Sequence, residues 1–284
     1  MALAEQPVAQ PVKLSAAQRL HFDIYGYVML RGVLTPDEVR ATRDALYKLH
    51  EELKDAEPGS SARVRGARIT SRRGTHYTHF GHLVEADPAL LHYAAHPGLV
   101  PLVEQVVGGS VRLEETEAII NHRDPDAKAD APQRFGFHVG TRHGYGTYVE
   151  NELFHCTFVK TLAFLTDIGP EDGGTVVIAG SHKLGLPQEQ VIAAAYEDPS
   201  LIHQTTGKAG DVLLFAESLI HATGRITSDR ERVIIVSGYT PPFMREWPGY
   251  AVSDEFLATL DEEKRRLLSG SESWHWRRSV SAGL

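Results

Sequence analysis

The second half of the chain consists of short apolar runs separated by glycine and proline, and this pattern constrains the fold most. The runs are "SVRLEETEAII" (110–120), "FHCTFVKTLAFLTDI" (154–168), "GGTVVIAGSH" (173–182), "GDVLLFAESLIH" (210–221) and "RVIIVSGYTP" (232–241). Short runs rich in Val, Ile and Phe, bounded by turn residues, are typical of β-strands. One helical pattern, "PQEQVIAAAYE" (187–197), interrupts them. The succession of strands predicts a β-sandwich or jelly roll.

The first third of the chain carries helical patterns instead. "TPDEVRATRDALYKLHEEL" has Thr35 at the N-cap position, Pro36 at the first helical position and acids in the first turn, so it predicts a helix. Further helices are predicted at 15–23, 87–97, 98–108 and 253–270. Helices followed by many strands predict an α+β fold, a jelly-roll core with flanking N-terminal helices.

We predict a single domain over residues 1–284, because no repeat, linker or low-complexity segment divides the chain. Within it, residues 1–14 read as a loose leader. Residues 54–82 are rich in Gly, Ser, Arg and His without periodicity, and this segment predicts a long loop that acts as an active-site lid.

The composition limits the classes of partner. The formal net charge is −8 and apolar residues make up 42% of the chain, which disfavours binding to nucleic acid polymers or anionic membranes. No run of about 18 apolar residues is present, so no membrane span is predicted. The N-terminus lacks the features of a signal peptide, and the single cysteine, Cys156, allows no disulfide framework and reads as a small buried hydrophobe. These features predict a cytoplasmic protein with a small-molecule partner, and they leave the oligomeric state open.

Two of the fifteen histidines have neighbours that suggest a metal site. His138 lies in "GFHVG", His221 ends the strand "GDVLLFAESLIH", and Arg232 opens the following strand. Residues two apart on a strand face the same way, so a His-x-acid pair and a distant histidine can bind one face of an iron ion, as in non-haem Fe(II) oxygenases. Because an antiparallel strand returns along its neighbour, Arg232 is predicted near His221, where its guanidinium can bind a carboxylate. Thr223 can add a hydroxyl donor.

Four segments in the right order resemble the phytanoyl-CoA dioxygenase family of Fe(II)/2-oxoglutarate enzymes. They are "FDIYGYVMLRGVLTPDEV", "FVKTLAFLTDIGPEDGGTVVIAGSHK", "AGDVLLFAESLIHATG" and "RERVIIVSGYTP". The resemblance implies a double-stranded β-helix, the cupin-like jelly roll, that uses Fe(II), 2-oxoglutarate and O2. It implies that His138 and His221 bind iron, and that Arg232 and Thr223, with Asn121, bind 2-oxoglutarate. His182 belongs to the structural "GSHK" turn.

The sequence departs from the family at Gly140, where the usual motif has an aspartate. In this respect it resembles the Fe(II)/2-oxoglutarate halogenases, in which Ala or Gly replaces the acid and chloride binds the metal. A chloride would restore the negative charge that the missing carboxylate removes. We therefore predict a halogenase that chlorinates an unactivated carbon, with Gly140 as the chloride position.

Other interpretations of Gly140 remain open. A carboxylate from "TYVENELFH", Glu150 or Glu152, or a water would complete the site of a hydroxylase. The true ligand could instead be His143 or His155. A cupin-like binding protein without turnover is the alternative from another class.

The segment 54–82 holds five arginines that we predict contact an anionic substrate, such as a phosphorylated metabolite or a nucleotide. They are Arg63, Arg65, Arg68, Arg72 and Arg73. The planar guanidinium binds oxyanions through two parallel hydrogen bonds. The other interpretation is a solvated basic loop.

Overall fold

A computed structural model describes residues 12–127, 134–141, 147–150, 153–245 and 251–270. The α-helices are α1 (Ala16–Tyr25), α2 (Pro36–Glu52), α3 (Pro88–Ala94), α4 (Val100–Val107), α5 (Gln188–Glu197), α6 (Asp254–Leu257) and α7 (Glu262–Ser269). The strands are β1 (Tyr27–Leu30), β2 (Arg68–Arg73), β3 (Tyr77–Gly81), β4 (Arg112–Asn121), β5 (Thr147–Glu150), β6 (Leu153–Cys156), β7 (Val159–Phe164), β8 (Val176–Ile178), β9 (Ile202–Gln204), β10 (Val212–Ala216), β11 (His221–Ala222) and β12 (Arg232–Thr240). None of the helices in these ranges is long and apolar enough to cross a membrane.

The cap residues fix where the N-terminal helices begin. The Thr35 side chain accepts a hydrogen bond from the Glu38 N–H, and the Glu38 carboxylate accepts one from the Thr35 N–H at 2.8 Å. This reciprocal pair satisfies amide groups that a helix start leaves open. Ser15 and Gln18 form the same arrangement at α1, and the helix predicted from Pro36 is confirmed.

Two antiparallel sheets face each other. The larger sheet has the strand order β1-β10-β7-β12-β4-β3-β2, and the smaller has the order β11-β8-β9. An apolar cluster fills the space between them, and its members include Phe164, Val177, Leu213, Phe215 and Ile234. The jelly-roll prediction is confirmed.

Helices cover the outer faces of both sheets. The largest apolar cluster includes Leu46 of α2, Leu90 of α3 and Val103 of α4, packed with residues of the larger sheet. Val191 and Ala195 of α5 join Val176 and Ile178 of β8 in a separate cluster.

The structure corrects two predictions of local structure. Residues 68–73 and 77–81 form strands β2 and β3 where a long loop was predicted. The strand β2 is at the sheet edge and buries only Ile69, so its sequence lacks an apolar pattern. The last helix is two helices, because Asp261 caps a new start for α7. The leader to residue 11 and the tail "SWHWRRSV" lie outside the described residues.

Candidate active site

His138 and His221 face each other across the edge of the smaller sheet. The backbone N–H of each donates to the carbonyl of the other at 3.0 Å, and the ring centroids are 4.3 Å apart. The Nδ1 atoms lie 3.1 Å from the Gly136 carbonyl and 2.7 Å from the Leu219 carbonyl. These contacts assign the proton to Nδ1, so each Nε2 is left with a lone pair for a metal ion.

The burial of the two histidines differs. His138 is exposed, whereas His221 is buried. Burial, with a contribution from His138, lowers the pKa of His221 to about 3. A metal ligand must be the neutral imidazole, and this environment keeps His221 neutral at physiological pH.

Arg232 is a fully buried cation beside two polar residues of neighbouring strands. In the sheet register Arg232 lies opposite Asn121 of β4, and Asn121 lies opposite Tyr77 of β3. The Arg232 Nη1 donates to the Asn121 Oδ1 at 3.4 Å, while its Nε has no hydrogen-bond partner in the described part of the chain. Burial lowers the pKa of Arg232 to about 10. A buried guanidinium with an unused donor fits the carboxylate of 2-oxoglutarate.

A cavity of about 580 Å³ opens beside these residues. His138, Asn121 and Thr223 all line it, so the structure brings together three of the residues predicted from the sequence. Tyr77 lines it as well, close enough to Arg232 for the charge of each to affect the pKa of the other. Tyr77 was not predicted from the sequence, because only the register of β3 against β4 aligns it with Asn121.

One of the five predicted arginines reaches this cavity. Arg73 lines it, with its guanidinium 5.1 Å from the Tyr77 ring centroid. Arg63, Arg65 and Arg72 donate to nearby backbone carbonyls, and Arg65 also binds Glu52. Arg68 lies near His82, where burial and the charge of Arg68 lower the pKa of that histidine to about 4.

Arg134 also lines the cavity, although it was not among the arginines predicted from the sequence. Arg134 stacks 4.2 Å from the Tyr196 ring centroid and extends the basic wall that Arg73 begins. Neither Arg73 nor Arg134 has an acidic partner within the described ranges of the chain. The sequence around Arg134 gave no signal for this role, because the position of Tyr196 depends on α5.

Gly140 contacts Glu217 rather than open space. The Gly140 N–H donates to the Glu217 carbonyl at 3.1 Å. A Cβ carbon built on Gly140 would overlap the Glu217 carboxylate. Any larger residue at this position must therefore displace Glu217. The sequence analysis missed Glu217, although an acid four residues before His221 in an apolar strand run is a usable signal.

Glu217 belongs to a buried ionic cluster around Lys160. The Lys160 Nζ lies 2.7 Å from Glu115, 3.3 Å from Glu217 and 3.9 Å from Glu117. Burial raises the pKa of Glu217 to about 6, against the opposing effect of Lys160. Burial alone would lower the pKa of Lys160, but the three carboxylates outweigh it and raise that pKa. Three acids share one lysine, so the surroundings favour cations over anions.

The alternative ligands have different outcomes. His155 is buried and stacked on Tyr148, with ring centroids 5.0 Å apart, and it does not contribute to the His138–His221 pair. His143, Glu152 and the side chain of Glu150 lie outside the described residues. His182 is buried in the short helical turn Ser181–Lys183, as the structural interpretation predicted.

Cys156 is buried in the main apolar cluster, where burial raises the pKa of its thiol. This environment agrees with its predicted role as a small hydrophobe.

A second histidine cluster lies on the helical side. The ligand atoms of Glu38, His92 and His96 lie within 4.8 Å of one another, the only group of three that meets this distance in the described residues. However, the Nδ1 of His96 accepts a hydrogen bond from the Gly98 N–H at 3.0 Å. Its Nε2 therefore carries the proton and points it at Glu38, 3.4 Å away. This arrangement is a hydrogen-bonded cluster that anchors α2.

A jelly roll with two facing histidines and a buried arginine fits the class of non-haem iron oxygenases, whose iron site contains two histidines. The sequence profile of the Phytanoyl-CoA dioxygenase (PhyH) family matches residues 22–234, and the chain belongs to this family. It is therefore an iron- and 2-oxoglutarate-dependent oxidoreductase, as predicted.

One curated relative and two solved structures are similar to this chain, and the solved structures share its fold. L-proline trans-4-hydroxylase from Streptomyces griseoviridis is 22% identical over 264 residues, which cover 83% of this chain and 89% of the relative. HygX from Streptomyces hygroscopicus with nickel and 2-oxoglutarate bound superposes with a TM-score of 0.65 at 24% identity, covering 82% of this chain and 90% of HygX. The carbocyclase SnoK from nogalamycin biosynthesis gives a TM-score of 0.59 at 19% identity, with coverages of 87% and 91%.

Proposed function

We propose that the chain is an Fe(II)/2-oxoglutarate-dependent hydroxylase that acts on a small anionic metabolite. His138 and His221 would hold the iron through Nε2, because both Nδ1 atoms face carbonyls. Arg232 would bind the distal carboxylate of 2-oxoglutarate, with Thr223 and Asn121 beside it. Iron bound with 2-oxoglutarate and O2 supplies an oxidant strong enough to attack an unactivated carbon–hydrogen bond.

The position of Glu217 carries the choice of hydroxylation over chlorination. Chloride would have to bind where the side chain of residue 140 is missing, and the Glu217 carboxylate fills that space. The acids Glu115 and Glu117 add negative charge around Lys160, which further disfavours an anion.

Chlorination stays the second candidate because one observation favours it. No group of three that contains His138, His221 and a carboxylate meets the 4.8 Å distance in the described residues. A third position on the iron would then be open beside Gly140, as in the predicted halogenase. Glu217 would have to move away for chloride to enter.

The basic wall of the cavity supports an anionic substrate. Arg73 and Arg134 are held by tyrosine rings in orientations that leave their donors for an oxyanion. A carboxylate and a phosphate share this chemistry. Among the relatives, the proline hydroxylase is named for an amino acid, which carries a carboxylate, whereas HygX has been solved with hygromycin B.

The test is a turnover screen of the iron-loaded protein. Amino acids, including L-proline, and nucleoside monophosphates are incubated with 2-oxoglutarate and O2, each beside its neutral amide or nucleoside. The substrate should raise succinate production above the level without substrate, and its product should gain the mass of one oxygen atom in chloride or bromide buffer. Replacement of both Arg73 and Arg134 by Gln should raise KM for the anionic substrate by about 3-fold or more, since both side chains are exposed and an exposed ion pair is worth ~0.2–1 kcal/mol.

Three outcomes contradict parts of the proposal. A product that contains bromine in bromide buffer identifies a halogenase. Faster turnover of the neutral member of each pair contradicts the proposal that the substrate is anionic. Binding of Fe(II) and 2-oxoglutarate together gives a visible charge-transfer band under anaerobic conditions. If the wild type shows no such band, the assignment of this site as an active site is wrong.

A further inference from the structure

We infer that Glu217 supplies the iron-binding carboxylate that the chain lacks at position 140. The inference rests on the proposed function, because it takes His138 and His221 as the other two ligands. The iron-binding carboxylate would then come from the segment between β10 and β11, and not from the segment that carries His138.

The backbone places Glu217 at the right point. His138 pairs with His221, and the Gly140 N–H donates to the Glu217 carbonyl, so the two segments run antiparallel beside each other. An aspartate at position 140 would extend from the same side of the pair as the side chain that now fills its space. A glutamate reaches one methylene further than an aspartate. It can therefore approach a metal from the opposite segment.

Gly140 and Glu217 depend on each other sterically. A Cβ carbon at position 140 would overlap the Cγ, Cδ and Oε1 atoms of Glu217. An aspartate at position 140 and the present Glu217 conformation are therefore mutually exclusive. A carboxylate supplied by Glu217 requires a residue without a side chain at position 140. The presence of Gly140 is therefore explained without a bound chloride.

The hydrogen bonds of Glu217 leave one oxygen unused. The residue is 1% exposed, and its Oε2 has no hydrogen-bond partner among the described residues. A buried carboxylate oxygen without a partner costs free energy that a metal ion offsets. Lys160 contacts the other oxygen at 3.3 Å, but Glu115 is closer to the same lysine, at 2.7 Å. Glu217 can thus turn toward the histidines while Lys160 keeps a partner.

This turn is required by the distances. His138, His221 and Glu217 do not form a group whose ligand atoms all lie within 4.8 Å of one another in the described residues. A carboxylate ligand lies about 2.0–2.2 Å from its metal. A rotation about the Glu217 side-chain bonds would accompany iron binding.

The experiment is a ligand swap measured by metal affinity. Fe(II) affinity is measured anaerobically, by titration calorimetry and by the charge-transfer band with 2-oxoglutarate, for the wild type, Glu217→Ala, Glu217→Gln, Gly140→Asp and the double variant Gly140→Asp/Glu217→Ala. We expect Glu217→Ala to weaken Fe(II) binding by at least about 10-fold, because even partners of metal ligands contribute ~10–100-fold. The double variant should recover affinity to within about 3-fold, since an aspartate then has both the space and the usual position. Gly140→Asp alone should bind iron more weakly than the double variant.

Glu115→Gln is the matched control, because it removes an acid of the same cluster that is not placed as a ligand. It should change Fe(II) affinity by less than about 3-fold if coordination, rather than local charge, is the cause. Unfolding midpoints identify variants that are misfolded, and Glu217→Gln, which keeps the shape, replaces Glu217→Ala if the latter is unstable.

Each result decides the inference. Wild-type affinity in Glu217→Ala and Glu217→Gln overturns it. A loss that the double variant does not recover also overturns it, because Glu217 then acts through charge or folding. If the wild type itself fails to bind Fe(II) with 2-oxoglutarate, the proposed function fails first, and the variants show no difference from it.

Discussion

Replacement of Arg232 by methionine should stabilise the metal-free protein and strongly weaken its binding of 2-oxoglutarate. Arg232 is 1% exposed, its Nε has no hydrogen-bond partner in the described residues, and no acid forms an ion pair with it there. Burial lowers its pKa from 12.5 to about 10, which corresponds to about 3 kcal/mol of unfavourable burial at ~1.4 kcal/mol for each pH unit. Methionine has a similar length and no charge to bury.

The sign follows from the direction of the pKa change. A cation whose pKa is lowered by folding destabilises the folded state at every pH below that of its lowered pKa. The cost of Arg232 is therefore present throughout the physiological range, and Arg232→Met removes it. For a chain of 284 residues, about 3 kcal/mol corresponds to a rise in Tm of about 5 °C.

Two assays check this prediction. Urea unfolding and thermal unfolding of metal-free protein give the stability change, with Arg123→Met as the control, because Arg123 is 56% exposed and pairs with an exposed aspartate. Anaerobic titration with 2-oxoglutarate in the presence of Fe(II) gives the affinity change. We expect a loss of about 100-fold or more, since breaking one side of a buried ion pair costs ~3–5 kcal/mol. A fall in stability in Arg232→Met, or unchanged 2-oxoglutarate affinity, would refute the reasoning.

Three further predictions concern Gly140, Lys160 and Glu38. Gly140→Ala should lower the free energy of unfolding by about 1–3 kcal/mol, because its methyl group overlaps Glu217, and Glu217→Ala in the same chain should recover most of this loss in urea unfolding. Lys160→Met should cost about 3–5 kcal/mol in the same assay by leaving the buried Glu217 and the half-buried Glu115 without their cation, whereas Lys208→Met, at an 80% exposed position, should stay within about 0.5 kcal/mol. Burial alone would raise the pKa of Glu38, but hydrogen bonds lower this pKa from an ordinary 4.5 to about 2. The Glu38 carboxylate therefore stabilises the fold above pH 4.5, and this stabilisation is lost as the pH falls toward 2. The difference in Tm between the wild type and Glu38→Gln should therefore shrink over this range, and a constant difference would contradict the assignment.

The sequence predicted those features that local patterns control. The cap at Thr35, the apolar strands of the second half and the order of the family motifs are each written in a few adjacent residues, and they led to the jelly roll and to His138, His221 and Arg232. The resemblance to the PhyH family was confirmed by the profile match. The assignment of the individual ligands stays a prediction.

The sequence could not predict contacts that depend on which strands are neighbours. Glu217 meets Gly140 only because the segment of His138 pairs with β11, and Lys160 joins them only because β7 pairs with β10. Tyr77 could not be predicted either, because its position depends on the pairing of β3 with β4. The segment 54–82 that carries it was read as a loop, because its edge strand β2 buries only Ile69 and so shows no apolar pattern. The chlorination hypothesis followed from reading Gly140 without its neighbour.

The most direct test of the central claim is a crystal structure of the Fe(II)–2-oxoglutarate complex from bromide-containing buffer, with anomalous scattering recorded for iron and bromine. We predict an iron peak between His138 and His221, 2-oxoglutarate extending to Arg232, and a Glu217 oxygen about 2.0–2.2 Å from the metal. A bromide peak beside Gly140, or iron bound away from these two histidines, would contradict the account.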